Sequence, residues 1–336
     1  MRPGALKRAP GTREDEAHMT KQKPSSRLGY LQRNWQLYSM LLIMVVSLLV
    51  FNYWPMTGLQ LAFKDWTIPI GNQAGGIWGS PWATDAMGNL DIFKHFKTLF
   101  TNPKVYVTFF NTLRISLLRL VCGFPMPILL ALLLNELTSS RFCKVVQSIS
   151  YLPYFISWVI ISGILKDMTA SQGVLQNLLS TVFGHEIDFF GNSNLFLSML
   201  IVSDIWKNVG WGTIIYFAAL TAISPELYEA GMVDGANRWQ RMRYITLPGI
   251  LPAVSINLIF SVSGIVYGGF DQIYNLYNPL VYDKADILET YLFRNGVIGG
   301  DYAMGTAMGL FNSLVAFVLV LIANKVIKKM GGEGIW

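Results

Sequence analysis

Six stretches of this chain stay apolar for longer than a soluble core helix needs. They run over 37–63, 105–137, 145–165, 195–223, 249–270 and 303–324. About 20 apolar residues carry a helix across a bilayer. Lipid offers no hydrogen bonds to the backbone, so such stretches must be helices. The reading is an all-α, polytopic membrane protein with six transmembrane helices. Only 14% of the residues are charged, against about 25% in a soluble domain, which excludes the two soluble domains that length alone would allow. The first span is too long for a cleaved leader and follows a polar segment, so it reads as a signal anchor.

Lys and Arg in the connections set the orientation. Sixteen lie in the N-terminal segment, the links after the second and fourth spans, and the C-terminal segment; seven lie in the other, longer loops. Both termini are therefore expected in the cytoplasm. The expected organisation is a cytoplasmic tail over 1–36, disordered over 1–26, and a first transmembrane helix over 37–63. An extracytoplasmic loop over 64–104 follows, then a transmembrane core over 105–327 and a cytoplasmic tail over 328–336. The net charge of +6 reflects this bias. No aromatic-basic nucleic-acid motif accompanies it.

Much chemistry is excluded by what is missing. Cys122 and Cys143 are too few for a disulfide framework, and His18, His95 and His185 lack metal-ligand spacing. No phosphate-binding G-x-x-x-x-G-K-[ST] loop is present, so this chain does not hydrolyse ATP alone. No nucleophile elbow or zinc-protease helix is found either.

The most informative stretch is SPELYEAGMVDGANRWQRMRYITLPGI, residues 224–250. Its grammar is that of two short helices. Ser224 is an N-cap, and Pro225 fits the first helical position. Leu227, Ala230, Gly231 and Asp234 fall on one nearly flat face. Gly235 supplies the turn. Asn237 with Gln240 reads as a capping box for a second, basic helix. An acidic helix, a sharp turn and a basic helix on the cytoplasmic side make a compact docking knob.

This stretch resembles the EAA motif of ABC-importer permeases, EAA-x3-G-x9-I-x-LP. Glu229, Ala230, Gly231, Gly235, Ile245, Leu247 and Pro248 stand at those spacings, with Gly231 in place of the second Ala. NTLRISLLRLVCGFPMPILLALLLNEL (111–137), SISYLPYFISWV (148–159), FDQIYNLYNP (270–279), AMGLFNSLVAFVLVLIAN (307–324) and the closing Trp336 look like the carbohydrate-uptake branch of these permeases. The likeness is nearest to permeases of polysaccharide or oligosaccharide importers, and more distant to the larger maltose-importer permease. It implies a type I importer permease in a bacterial inner membrane. It also implies a second permease subunit, two cytoplasmic ATPase subunits holding ATP and Mg, an extracytoplasmic solute-binding protein, and coupling through 224–248, including Asp234. A membrane-embedded transferase would need a carboxylate or metal constellation. A secondary transporter would usually show more spans or a repeat with broken helices.

Ionisable groups in the bilayer are functional candidates by default. Asp204 and Lys207 stand three residues apart and can pair with each other. Arg114 and Arg119 can snorkel to the interface. Alternatively, Arg119, Asp204 and Lys207 line a polar cavity that attracts an acidic, uronate-bearing sugar. Trp206, Trp211, Tyr216 and Tyr267 are candidates to face sugar rings, and Asp271 and Gln272 to meet sugar hydroxyls.

Overall fold

The computed structural model of the chain describes residues 34–66, 76–137 and 139–329. The tail over 1–26 and Trp336 lie outside them. The chain divides into two units, 1–57 and 58–336. Among the described residues the helices that frame the fold are, in chain order, α1 (Trp35–Phe63), α2 (Lys94–Thr101), α3 (Pro103–Asn135), α4 (Ser140–Phe155), α5 (Trp158–Thr169), α6 (Val174–Phe183), α7 (Ser193–Thr221), α8 (Pro225–Val233), α9 (Arg238–Val266), α10 (Phe270–Leu276), α11 (Leu288–Leu292) and α12 (Tyr302–Lys329), with short turns at Pro279–Val281, Tyr282–Ala285 and Phe293–Ile298 between them. Among the described residues, extended pairing is confined to two isolated bridges, Lys64 with Trp82 and Thr84 with Leu90.

Among the described residues four helices, α1, α3, α9 and α12, are long and apolar enough to cross a membrane. The expected span over 145–165 is not one helix: it is broken between α4 and α5, which meet at 98°. The expected span over 195–223 is α7, 29 residues long and interrupted by Asp204, Lys207 and Asn208. No residue from Trp35 to Met56 is buried. A helix apolar all round and exposed all round suits lipid as its solvent.

Three of the membrane helices contain one π-turn each, at Leu49–Tyr53, Arg119–Gly123 and Met242–Thr246. Each ends two residues before a proline: Pro55, Pro125 and Pro248. Proline has no N–H for the carbonyl four residues back, and its ring crowds that carbonyl. The residue before it then reaches one carbonyl further. Phe124 N–H bonds to the Arg119 carbonyl at 3.2 Å. The Phe-Pro pair therefore re-aims the helix at Arg119.

The core of the second unit forms where α7 lies along the second half of α3. Ala131, Leu132, Tyr216, Leu220 and Ile250 are buried together there. Further along α7, Phe196 and Leu200 pack with Ile115, Ile273 and Ile287. The hairpin around α11 is stapled by Arg294 to Asp286 at 2.6 Å. Burial alone would lower the Arg294 pKa, but the bond and charge of Asp286 outweigh it and raise it. The segment between α1 and α3 is tied by Asp65, which accepts from Lys94 at 2.8 Å and from Thr84 N–H at 3.0 Å. Burial pushes the Asp65 pKa up; these bonds outweigh it and bring it down.

Candidate functional site

The helical path from α9 to α10 is interrupted at Tyr267-Gly268-Gly269, where backbone carbonyls lose their helical partners. Gly269 sits at φ +86°, a left-handed conformation that costs a residue with a Cβ about 1–2 kcal/mol. Arg119 closes this break from α3. Its Nη1 donates to the Gly268 carbonyl at 2.7 Å, and its Nη2 donates to Gln272 Oε1. Gln272 in turn donates to the Leu200 carbonyl at 2.8 Å and to Ser203 Oγ at 2.9 Å, both on α7. A Cβ on Gly269 would collide with the Arg119 guanidinium.

Arg119 does not snorkel. It stands sixteen residues from each end of the 33-residue α3, about 24 Å from either terminus at 1.5 Å per residue. Its side chain is 17% exposed. Asp204 Oδ2 lies 3.9 Å from its Nε, too far for a hydrogen bond, and the buried Nε has no hydrogen-bond partner. Asp204 instead accepts from Asn208 Nδ2 at 3.0 Å.

Two cavities meet at this ion pair. The larger, about 690 Å³, is walled by α3, α7 and α9 and lined by Trp211, Tyr216, Asn208, Asn257 and Ser261. The smaller, about 300 Å³, is lined by Trp158, Asp271, Gln272 and Glu289. Arg119, Asp204 and Tyr267 line both and form the neck between them. Asn208, Asn257 and Ser261 escaped the sequence reading, although polar residues inside apolar spans were a usable signal. Glu289 carried no such signal. The residues facing sugar rings were expected to include Trp206, but it is exposed and lines neither cavity.

Lys207 also lines neither cavity, and it does not pair with Asp204. It is 7% exposed, and its ammonium donates to the carbonyls of Pro153, at 3.3 Å, Tyr154, at 2.8 Å, and Ile156. The Tyr154 and Ile156 carbonyls are freed where α4 ends and the chain turns into α5, and the Pro153 carbonyl also accepts from Ile156 N–H at 3.2 Å. The rings of Tyr154 and Trp158 each lie 5.6 Å from the ammonium, and Tyr154 stacks on Trp211 at 4.4 Å. Arg114 is exposed and lines a separate groove of about 470 Å³ with Leu118, Leu197 and Ile201.

The loop between α7 and α9 has the local structure its residues dictate. Ser224 caps α8, and Pro225 opens it. Gly235 takes φ +76°. The Asn237–Gln240 box closes with bonds of 2.8 and 2.9 Å. One detail is corrected. Gly231 does not belong to a free face: a Cβ there would come 3.0 Å from Ile245 Cδ1, so the small residue seats α8 on α9. Glu229, Ala230, Asp234, Gly235, Leu247 and Pro248 are exposed. So are Met232, Val233, at 88%, Trp239 and Tyr244. That apolar surface was not singled out from sequence.

Residues 123–330 match the family model described as the binding-protein-dependent transport system inner membrane component. The chain is 39% identical over 323 residues, 96% of its length and 97% of the relative's, to the polygalacturonan/rhamnogalacturonan transport system permease protein YteP of Bacillus subtilis. It resembles a chain of a bacterial ABC transporter involved in the import of the acidic polysaccharide alginate, with TM-score 0.80 and 41% identity, covering 90% of this chain and 99% of that one. A second structure, the bacterial alginate ABC transporter in complex with an alginate pentasaccharide-bound periplasmic protein, matches at TM-score 0.79 and 40% identity over 91% of this chain and 98% of that one. The chain therefore belongs to the binding-protein-dependent transport system inner membrane components, the permease subunits of ABC importers whose ATPase activity resides in partner subunits.

Proposed function

We propose that this permease forms half of an inner-membrane pathway for an acidic, uronate-bearing oligosaccharide. The observation that carries the reading is Arg119, a mid-helix guanidinium at the neck of two cavities with a buried N–H edge unbonded. Guanidinium binds carboxylate more strongly than it binds neutral hydroxyls. Trp211, Tyr216 and Tyr267 offer ring faces, and Asn208, Asn257 and Ser261 offer partners for hydroxyls. The relatives' acidic polysaccharides support the same class.

The decisive measurement uses the reconstituted importer with its binding protein, second permease and ATPases. ATPase stimulation is compared for an oligogalacturonate and its methyl ester, each at saturating occupancy of the binding protein. Stimulation by the acid and much less by the ester is expected; equal stimulation would overturn the reading.

In the same proposal six spans cross the membrane with both termini cytoplasmic. The knob of α8 and the start of α9 then docks on an ATPase subunit that holds ATP and Mg. Glu229, Ala230, Asp234 and Gly235 lie on its surface, and Met232, Val233, Trp239 and Tyr244 supply apolar area. A cysteine at position 233 should react with an impermeant maleimide in inside-out vesicles. Reaction in intact cells, above the background of Cys122 and Cys143, would invert the topology.

A further inference from the structure

The guanidinium of Arg119 uses its two outer nitrogens on protein acceptors and leaves its Nε edge without one. Nη1 holds the Gly268 carbonyl and Nη2 holds Gln272. Nε is buried, has no hydrogen bond, and faces Asp204 Oδ2 at 3.9 Å. A buried donor left unsatisfied is costly, and the cost is removed when an acceptor arrives. Asp204 is near enough for charge attraction but not for a hydrogen bond, and its other oxygen is already held by Asn208 at 3.0 Å.

The charge around the neck sets a second condition. Asp204, Asp271 and Glu289 surround a single arginine. A further carboxylate added to this set meets three carboxyl groups and one guanidinium. A uronate therefore gains by exchanging with Asp204 rather than by joining it. The cradle that aims Arg119 is stiff. Gly269 is backed against the guanidinium, and Gln272 is anchored to α7 through Leu200 and Ser203. Asp204 has a place to go, because Asn208 lies one turn along α7 and lines the larger cavity.

The geometry points to an exchange latch: Asp204 is an internal stand-in for the substrate carboxylate, holding Arg119 loosely in the empty transporter and yielding its Nε edge to a uronate. This rests on the acidic-substrate reading above and adds the site of the carboxylate and its competitor. Latch closure adds a direct charge bridge from Arg119 on α3 to Asp204 on α7 when no sugar is present. Substrate entry removes that bridge and leaves the tie through Gln272 in place.

The test measures oligogalacturonate and methyl-ester binding to the complete solubilised transporter by calorimetry, in wild type, Asp204→Asn and Arg119→Gln. If the latch holds, Asp204→Asn tightens acid binding about tenfold, equivalent to 1.4 kcal/mol, and leaves ester binding unchanged. Arg119→Gln abolishes the preference for acid over ester. Asp204→Ser, which removes the same competing charge with a smaller side chain, should tighten acid binding in the same direction and serves where Asp204→Asn fails to assemble. Acid binding unchanged or weakened in an assembled Asp204 variant, while the wild type still prefers acid, overturns the latch alone. A wild type that does not distinguish acid from ester overturns the substrate reading, and the latch with it.

Discussion

The two helix breaks inside this bundle are built from the same parts and reach different ends. At Leu152–Ser157 the carbonyls freed by the 98° turn are taken by Lys207 from α7. At Tyr267–Gly269 a freed carbonyl is taken by Arg119 from α3. In each, a cation from another helix supplies what the interrupted ladder lost, as broken membrane helices require. The ammonium of Lys207 has three donors, and three carbonyls occupy it, with two aromatic rings over its remaining surface. Arg119 has five N–H donors, makes two hydrogen bonds through Nη1 and Nη2, and keeps its Nε buried and unbonded. A cation whose donors are consumed by backbone is a staple. A cation with a donor to spare, on the wall of two cavities, is a site.

The largest effect should come from breaking the staple. Lys207→Met leaves the Tyr154 and Ile156 carbonyls without their donor, and the Pro153 carbonyl with the Ile156 N–H alone. Stranding buried acceptors costs on the order of 1–3 kcal/mol each, part of it offset because the buried ammonium no longer has to be desolvated. A net loss of about 2–4 kcal/mol is expected. The readout is the yield and thermal midpoint of the assembled complex, both reduced. Transport by the complex that does assemble should fall equally for acidic and neutral sugars. A selective loss of the acidic sugar would show that Lys207 faces the pathway after all, and would erase the difference between the two breaks.

That difference explains what could be read from the residues and what could not. The apolar spans and the cap-turn-cap grammar of 224–240 are local, so hydropathy and residue chemistry suffice for them. A π-turn stands two residues ahead of Pro55, Pro125 and Pro248, but Pro252 lies inside α9 without one, so proline alone does not announce it. The partners of the charged residues were not legible. Asp204 and Lys207, three apart on one helix, invited pairing. Tertiary packing gave Lys207 to carbonyls some fifty residues earlier, and gave Asp204 to Asn208 and, at longer range, to Arg119. Gln272 ties Arg119 to α7 across a separation of 153 residues. Those choices depend on where backbone carbonyls become free, and nothing in residue type announces that. Gly210 shows the same limit. A Cβ there would collide with the Ser150 carbonyl, so this glycine exists to let α7 approach α4 closely.

The smaller effect, and the sharper test of the comparison, is Gly269→Ala. Two costs act together. The left-handed φ of +86° is worth about 1–2 kcal/mol against a residue with a Cβ. The added carbon also lands on the Arg119 guanidinium, which has to withdraw from the Gly268 carbonyl. A bundle whose core is formed by α3, α7 and α9 should tolerate that strain, so the complex should still assemble. What should be lost is aim. With Arg119 displaced from its cradle, the Nε edge no longer faces the neck, and acid-stimulated ATPase activity should fall by about tenfold, the factor corresponding to 1.4 kcal/mol. Stimulation by a methyl ester should change little. Gly210→Ala supplies the contrast, because it strains the Lys207 break instead and should reduce assembly without altering the preference between acid and ester. If Gly269→Ala lowered assembly and both activities together, the Arg119 break would be a staple like the other one.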